Sequence, residues 1–425
     1  MIRATRILIG VCVCALASPR AAAAQDTVEQ LVATALERSP EIRAARTAID
    51  AAGGRLTQAG LRPNPMLSAS QLQMSGAQHQ TLVGIEWPLD LFRRPSRVAV
   101  AGQAVEATTL SVRERERQLA ARVRQQAGGL LAARREVQVM NEALTAARRM
   151  RELLDQKVTE GDIPRLEANI AAVEVGRMDV DVVLAQANAD ARAVELLALV
   201  GLPAGTPLTL RESLEVLVRA ASPREGPQQT PEATLAMRSD IREATARVAL
   251  ADARVEEARR DGSADMTLSA AYGHEFFGFT QRGFNDQGVL APIEGSFNSV
   301  VIGATIALPT RNRNQGTTSA ALAERNGETE ALAARQLSAQ AELDAAIVRD
   351  REARRAVEMY ATSVRELARQ NVDVELEAYD LGRTRLSELL AEQRRYLDVE
   401  AAYTVVLTRA WEAQVALRLA RGEIR

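Results

Sequence analysis

The feature that most constrains this chain is an internal repeat, because two halves of the sequence read alike. Each half reads as a helix, two strands, a very long helix and a further helix. The start of one half, at residues 38–45, resembles the start of the other, at residues 238–244. Residues 160–166 likewise resemble residues 381–386. We therefore expect two copies of one architecture instead of several unrelated domains.

The division of the chain follows from this repeat. We predict a signal peptide at residues 1–24, a first repeat at residues 25–203 and a second repeat at residues 231–425. Residues 204–230 are rich in Pro, Gly, Thr and Gln, which favours a linker or equatorial segment over a separate domain.

The N-terminus has the pattern of a secretory signal peptide. Arg3 and Arg6 precede an apolar run that is too short for the roughly twenty residues of a membrane-spanning helix. Small residues follow, so we expect cleavage near Ala24. Cleavage would remove Cys12 and Cys14, the two cysteines of the chain. Lipidation at Cys12 is the alternative, which the preceding residues fit poorly.

Heptad spacing of apolar residues predicts a coiled-coil helix over about residues 98–158, roughly 90 Å long. The returning segment repeats this spacing, so the two helices would form an antiparallel hairpin. A second long helix, over about residues 314–380, begins the hairpin of the other half. The predicted seam of the first long helix comprises Val123, Leu130, Ala133, Val137, Met140, Leu144, Ala147, Leu154 and Val158. The predicted seam of the returning helix comprises Leu166, Ile170, Val173, Val180, Leu184, Ala187, Ala191 and Val194.

Four segments alternate between apolar residues and polar or small residues, which predicts β-strands. The alternation is clearest at residues 266–273 and 299–308, present at residues 83–89 and weaker at residues 66–74. Each strand would have about nine residues, enough to cross a bilayer when tilted. The loop from about residue 273 to residue 299 would be the long extracellular one.

The strands and hairpins together predict a fold that is mainly α with a membrane β-barrel portion. Four strands cannot close a barrel, and an open sheet edge is not viable in lipid, so at least two copies must share one barrel. A small soluble sheet that caps the coiled coil is the alternative. The aromatic residues that favour the membrane, because they lie in or beside the strands, are Trp87, Phe92, Tyr272, Phe276, Phe277, Phe279, Phe284 and Phe297.

The sequence contains no pattern typical of catalysis. His79 and His274 are its two histidines, too few for a metal or catalytic cluster. We find no phosphate-binding loop and no nucleophile motif. The formal net charge of −2 gives no electrostatic footprint for nucleic acid. We predict no enzymatic activity, no cofactor, no resident metal and no nucleic-acid partner.

The order of these elements resembles that of the TolC-like outer-membrane efflux family across the mature chain. Residues 58–65, before the first strand, and residues 311–316, after the fourth, are similar to the CzcC-like branch, which serves heavy-metal cation exporters. The resemblance implies a homotrimer in the bacterial outer membrane, with a shared β-barrel on a periplasmic helical tunnel. It also implies two partners, a periplasmic adaptor (membrane fusion protein) and an inner-membrane pump of the resistance-nodulation-division (RND) type. Some relatives in that branch are lipid-anchored, which this chain is not expected to be.

The expected function is a passive export duct for heavy-metal cations. Small organic toxicants and secreted polypeptides are alternative cargoes, because specificity normally resides in the pump. A different class, a non-transporting periplasmic coiled-coil scaffold, would share the hairpins but would need no aromatic-rimmed strands.

A polar cluster surrounds the second helix reversal. By resemblance, Tyr379 and Glu388 match family positions that close the periplasmic end of the duct, whereas Arg383 and Arg385 flank the usual arginine position. Ala168 falls opposite Glu388, so only one hairpin would contribute an acidic ring. Ordinary solvated charges at a turn are the alternative. The predicted gate residues are Tyr379, Arg383, Arg385, Glu388 and Glu392.

The two helix reversals would be the points farthest from the membrane, so we predict that they dock the adaptor. Gly161 and Gly382 would permit the reversals, and Leu166 and Leu386 would offer apolar contacts. The predicted docking residues are Gly161, Ile163, Leu166, Gly382, Leu386 and Ser387.

Overall fold

A computed structural model of the protein describes residues 25–74, 78–220 and 235–424. The predicted signal peptide lies outside the described residues, as does the C-terminal part of the predicted linker. Within the described ranges, no helix combines the length and apolarity needed to cross a membrane.

Both halves contain the predicted order of elements. The first half comprises β1 (Gln25–Asp26), α1 (Val28–Arg38), α2 (Pro40–Gly60), β2 (Met66–Gln73), β3 (His79–Pro88), α3 (Arg94–Glu160) and α4 (Arg165–Val200). Between the halves lie β4 (Thr209–Leu210) and α5 (Leu214–Ala220). The second half comprises α6 (Ser239–Asp261), β5 (Asp265–Phe284), β6 (Leu290–Ala307), α7 (Gln315–Met359), a π-helical turn (Tyr360–Val364), α8 (Arg365–Asp380) and α9 (Leu386–Ala420).

The helix α3 organises the fold, because its 67 residues pack against α2 and α6 at one end and against α4 and α9 at the other. Its middle lies in the main core, where Val123 and Leu130 are fully buried. Trp411 of α9 donates a hydrogen bond to the Arg124 carbonyl at 2.7 Å. A Cβ on Gly128 would lie 2.1 Å from the Trp411 ring, so only glycine permits this close helix crossing.

The described part of the predicted linker also joins this core. β1 pairs in parallel with β4, and Leu214 and Leu217 of α5 are buried in the core. This segment therefore braces the middle of the molecule. The division into two repeats and a linker stays a prediction.

The seam predicted for α3 is confirmed at its main positions, including Leu144 and Leu154, which are buried. The seam predicted for α4 is wrong, because Leu166, Val173 and Val180 are 67%, 73% and 57% exposed. The face of α4 that packs toward the protein interior is a second heptad series, richer in alanine, which allows closer helix approach. Its buried members are Ala168, Ala171, Val175, Met178, Ala185, Ala189 and Leu196.

The four long strands form an antiparallel sheet in the order β2-β3-β5-β6. Its register places most of the apolar residues of the strands on one face: Ile85 pairs with Leu67 and with Ala270. Ile302 continues this row on β6. We call this the outer face; it carries Leu67, Val83, Ile85, Trp87, Leu268, Ala270, Tyr272, Val300, Ile302 and Ile306. The opposite, inner face carries Ser68, Gly84, Glu86, Ser269, Ala271, Gly273, Ser299, Val301 and Gly303.

The long loop expected at residues 273–299 is not a loop. Strands β5 and β6 have 20 and 18 residues and continue through this region as a hairpin that turns at residues 285–289. The abundance of Gly, Asn and Phe suggested a loop, but the backbones of β5 and β6 pair beyond the end of β3, where His79 lies opposite Phe276.

Candidate functional site

The helices reverse at two tips, one between α3 and α4 and the other between α8 and α9. Gly161 and Gly382 have φ angles of +85° and +68°, a region that glycine enters without a Cβ clash. At the first tip the Asp162 N–H donates to the Lys157 carbonyl at 2.9 Å, and at the second the Arg383 N–H donates to the Ala378 carbonyl at 2.9 Å. The predicted role of both glycines in the turns therefore has a structural basis.

The two tips are equivalent in a register that differs by one residue from the sequence-based register. α4 begins at Arg165 and α9 at Leu386, each four residues after its turn glycine. This register makes Glu167, not Ala168, the counterpart of Glu388. The sequence-based pairing of Leu166 with Leu386 caused the error. Both tips therefore carry an acidic residue in the first turn of the returning helix.

Tyr379 links the two hairpins of one chain. Its hydroxyl donates a hydrogen bond to Glu167 Oε2 at 3.1 Å, and its ring is buried against Leu154 and Leu389. Burial, together with this hydrogen bond to Glu167, raises the pKa of Tyr379 to about 12. The hydroxyl thus keeps its proton at physiological pH and remains a donor. The Lys157 ammonium lies 5.6 Å from the ring centroid.

The other predicted gate residues do not converge within one chain. Glu388 is exposed, and its Oε2 accepts a hydrogen bond from the Arg385 backbone N–H at 3.4 Å. Glu392 pairs with Arg395 at 2.8 Å. The Arg383 side chain is exposed and forms no ion pair with the described residues. Of the predicted set, only Tyr379 therefore joins the hairpins within the described chain.

The predicted docking residues also differ in exposure. Leu166 is 67% exposed and Ser387 is exposed, whereas Leu386 is only 4% exposed and packs in the core of the tip. Ile163 is half-buried against the same cluster. Leu166 is therefore exposed and its contact with an adaptor stays a prediction, whereas Leu386 is a packing residue of the tip.

Two buried glutamates link the hairpins above the tips. Glu174 of α4 lies on the buried side of the helix, where an apolar residue is usual. Its carboxylate accepts hydrogen bonds from Arg177 at 2.7 Å and from Arg394 of α9 at 2.8 Å. The hydrogen bond from Arg177 lowers the pKa of Glu174 to about 2. The hydrogen bond from Arg394 assists this shift in the pKa, and burial opposes it.

Glu400 of α9, which is 2% exposed, joins three helices. It pairs with Arg135 of α3 at 2.6 Å and with Arg365 of α8 at 2.7 Å. Burial alone would raise the pKa of Glu400, but the hydrogen bonds from Arg365 and Arg135 hold it below its usual value. Sequence reasoning missed Glu167, Glu174 and Glu400. The available indication for Glu400 was an acidic residue at heptad spacing from Leu386 and Leu407.

The inner face of the sheet is closely packed between neighbouring strands. A Cβ on Gly273 would lie 2.7 Å from the Ser299 hydroxyl, and a Cβ on Gly303 would lie 3.0 Å from the Ser269 hydroxyl. Each glycine therefore leaves room for the side chain of its cross-strand partner. The outer face exposes its apolar side chains, with Ile302 82% exposed.

The histidines lie on the outer face near the end of the apolar row. The His79 ring stacks on Phe276 with centroids 5.1 Å apart, and His274 Nδ1 lies 2.8 Å from Asn298 Oδ1. Among the described residues, no group of three or more His, Cys, Asp or Glu side chains is placed to hold a metal ion.

These features define a class: a sheet with one exposed, apolar, lipid-compatible face, carried on long helical hairpins. Residues 31–202 match the model of the outer membrane efflux protein family. Comparison with curated protein sequences gave no match.

The fold is shared with solved outer-membrane channels. CusC superposes with a TM-score of 0.76 at 16% identity, covering 94% of this chain and 93% of CusC. VceC of Vibrio cholerae gives 0.71 at 20% identity, covering 93% of this chain and 96% of VceC. MtrE of Neisseria gonorrhoeae gives 0.74 at 18% identity, covering 93% of this chain and 89% of MtrE.

The sequence match and the fold together confirm the prediction of a TolC-like outer-membrane efflux protein. Over residues 31–202 the chain is similar in sequence to outer membrane efflux proteins, and over most of its length it has the fold of solved outer-membrane channels. This similarity agrees with the predicted outer-membrane location, with the helices in the periplasm, and with a channel instead of an enzyme. The CzcC-like branch has no support in these comparisons and stays a prediction.

Proposed function

We propose that three identical copies of this chain form a duct that carries heavy-metal cations out of the periplasm. The observation that carries the trimeric duct is the four-stranded sheet, which has an apolar outer face and, among the described residues, two unpaired edges, β2 and β6. Unpaired backbone groups are not tolerated in lipid, so β2 of one copy would pair with β6 of the next until the barrel closes.

Exposed apolar seams on the helices support the same assembly. The seam Val173, Val180 and Leu184 on α4 has no partner among the described residues that would bury it. On α8 and directly after its last residue, Leu367, Val374 and Leu381 recur at heptad spacing and are 58%, 65% and 60% exposed. Seams of this kind bury their side chains against a neighbouring helix, and in the trimer that helix would belong to the next copy.

The periplasmic end of this duct would be closed by the tips. The Tyr379 to Glu167 hydrogen bond holds the two hairpins of each copy together, and separation of the hairpins would break it. Three Glu388 side chains around one axis would attract cations and repel anions. Glu388→Gln should therefore weaken cation preference in planar bilayers, and unchanged selectivity would contradict the acidic ring.

The exposed Leu166 side chain and the turn glycines support docking of the tips to a periplasmic adaptor, through which the duct would meet an RND-type pump. Heavy-metal cargo rests on the sequence similarity of residues 58–65 and 311–316 to the CzcC-like branch. Organic toxicants and polypeptides remain the competing cargoes. A strain that lacks this chain should become sensitive to divalent heavy-metal cations; selective sensitivity to organic toxicants would reassign the cargo.

The assembly is tested with a matched pair of variants in α4. Val173→Glu places a charge in the exposed apolar seam, whereas Gln186→Glu places the same charge at an exposed position on the other side of the helix. Native mass of the detergent-extracted protein should show trimers for the wild type and Gln186→Glu, and mainly dissociated chains for Val173→Glu. A monomeric wild type would refute the shared barrel.

A further inference from the structure

Three phenylalanines cluster on the β5–β6 hairpin. Phe277 and Phe279 of β5 lie beyond Phe276, the residue opposite the end of β3, and Phe297 lies on β6. This part of the hairpin therefore extends past the β2–β3 hairpin. In the proposed duct it would form the outer, extracellular end of the barrel.

The strand register places this cluster on the inner face. Side chains alternate along a strand, so Phe277 shares a face with Gly273, and Phe297 shares a face with Ser299. Gly273 and Ser299 are cross-strand partners on the inner face. In the proposed barrel the apolar outer face meets lipid, so the phenylalanines would face the lumen. Elsewhere on that face most side chains are small or polar, so aromatic residues there need a separate explanation.

The cluster is packed, and its neighbour accommodates it. The ring centroid of Phe277 lies 5.8 Å from that of Phe279, in an edge-to-face arrangement, and 6.3 Å from that of Phe297. A Cβ on Gly295 would lie 2.5 Å from the Phe277 ring, so the ring occupies the space that glycine leaves open. Ile293, opposite Phe279, continues the apolar surface.

We propose that Phe277, Phe279 and Phe297 form an apolar collar inside the exit of the duct, which limits the passage of water and hydrated ions. This inference rests on the proposed trimeric duct, which would bring three copies of the cluster around one lumen. An apolar constriction disfavours water and so resists ion conduction. A β-bulge lies between Phe279 and Arg282, directly after this cluster. A bulge bends and twists its strand, so this one sets the direction of the hairpin tip.

The test is single-channel conductance in planar bilayers. Serine replaces all three phenylalanines, both in the wild-type protein and in the Tyr379→Phe variant. Tyr379→Phe removes the hydrogen bond to Glu167 that would hold the periplasmic end closed, so the exit can limit the current. We call the Tyr379→Phe protein the released background. The triple variant should raise conductance roughly twofold in the released background, because a wetted exit conducts more freely. Phe276→Ser is the matched control, on the same strand but on the outer face against His79, and should leave conductance unchanged.

A second measurement covers the case in which the triple variant misfolds. Phe277→Cys and Phe276→Cys are made singly and treated with a charged thiol reagent from the extracellular side. Modification at position 277 should change the conductance, and treatment of the Phe276→Cys protein should not. Equal conductance in the folded triple variant, or an unresponsive Phe277→Cys channel, would overturn the collar. Absence of channels in the wild type and in the released background would instead refute the duct.

Discussion

At the residue scale, the contact between Tyr379 and Glu167 gives the tips a definable closed state. The sequence indicated Tyr379 by resemblance but not its partner, because aligning the two tips on their leucines shifted the register by one residue. The turn glycines and helix starts supply the correct register, and these depend on backbone conformation. Only side-chain geometry then shows that Tyr379 donates to Glu167 instead of to a residue of its own hairpin.

The hydroxyl of Tyr379 should hold the duct closed. Tyr379→Phe removes the hydrogen bond to a carboxylate and should cost about 1.4 kcal/mol, or tenfold in the closed-to-open ratio. Resting conductance in planar bilayers should rise accordingly. Tyr396→Phe is the control, since Tyr396 is a half-buried tyrosine of α9 that forms no hydrogen bond between the hairpins. Equal conductance in both variants would contradict a role of the Tyr379 hydroxyl in closing the duct.

The pKa of Glu174 predicts how acid affects the link between α4 and α9. Its pKa falls from an ordinary 4.5 to about 2 in the folded protein. The stabilisation is therefore fully present above about pH 4.5 and is lost as the pH falls toward 2. The free energy of unfolding should decline across this window, and Glu174→Gln should flatten the decline. Denaturant unfolding at several pH values measures this decline. An identical pH dependence of the free energy of unfolding in both proteins would exclude Glu174 as a contributor.

At the element scale, α4 shows what periodicity can and cannot predict. Heptad spacing predicted a coiled-coil helix, and a helix is present. Two faces of α4 satisfy that spacing, and the larger side chains belong to the exposed one. Sequence alone could not choose between them, because an apolar seam that meets another copy has the same pattern as one that meets its own chain. The β5–β6 hairpin was misread for a related reason, since its glycines and phenylalanines resemble a loop until the strand register is known.

The two tip leucines should behave differently when changed. Leu386→Asp should destabilise the tip by at least the roughly 2–5 kcal/mol that follows loss of a buried leucine side chain. Leu166→Asp should change stability by only about 0.5 kcal/mol, because its side chain is exposed. Thermal unfolding checks this difference, and an adaptor pull-down should show weaker binding by folded Leu166→Asp. Undiminished adaptor binding would remove Leu166 from the docking surface.

At the scale of the whole molecule, the two faces of the sheet divide the environment into lipid and lumen. The sequence predicted this division because apolar residues alternate with small or polar residues along most of β3, β5 and β6. β2 departs from the pattern, since Met66 and Leu72 lie on its inner face. It could not predict which strands are neighbours or that β5 and β6 are twice as long as expected. The helical half of the molecule is held together by buried ion pairs, such as Glu400 with Arg135, whose partners are more than 250 positions apart in the chain and leave no local pattern.

A charge on the two faces should have opposite effects. Ile302→Arg places arginine on the outer face and should destabilise the inserted barrel by about 2–4 kcal/mol near the bilayer midplane. Thr305→Arg, on the same strand but on the inner face, should be tolerated. Heat-induced loss of the folded band in gel electrophoresis measures both. A reversed order of stability would mean that the faces have been assigned the wrong way round.

The open edges of the sheet also govern how the protein must reach its destination. A lone copy crossing the periplasm presents two rows of free backbone donors and acceptors, and any extended chain nearby can add to them. In the proposed trimer the productive partners are two further copies, so the yield of inserted barrels would depend steeply on local concentration. Aggregation competes for the same edges. Newly made copies therefore need a holding chaperone, or rapid encounter with other copies at the membrane, before their edges aggregate. An excess of unassembled copies would harm the cell instead of serving as a store of subunits.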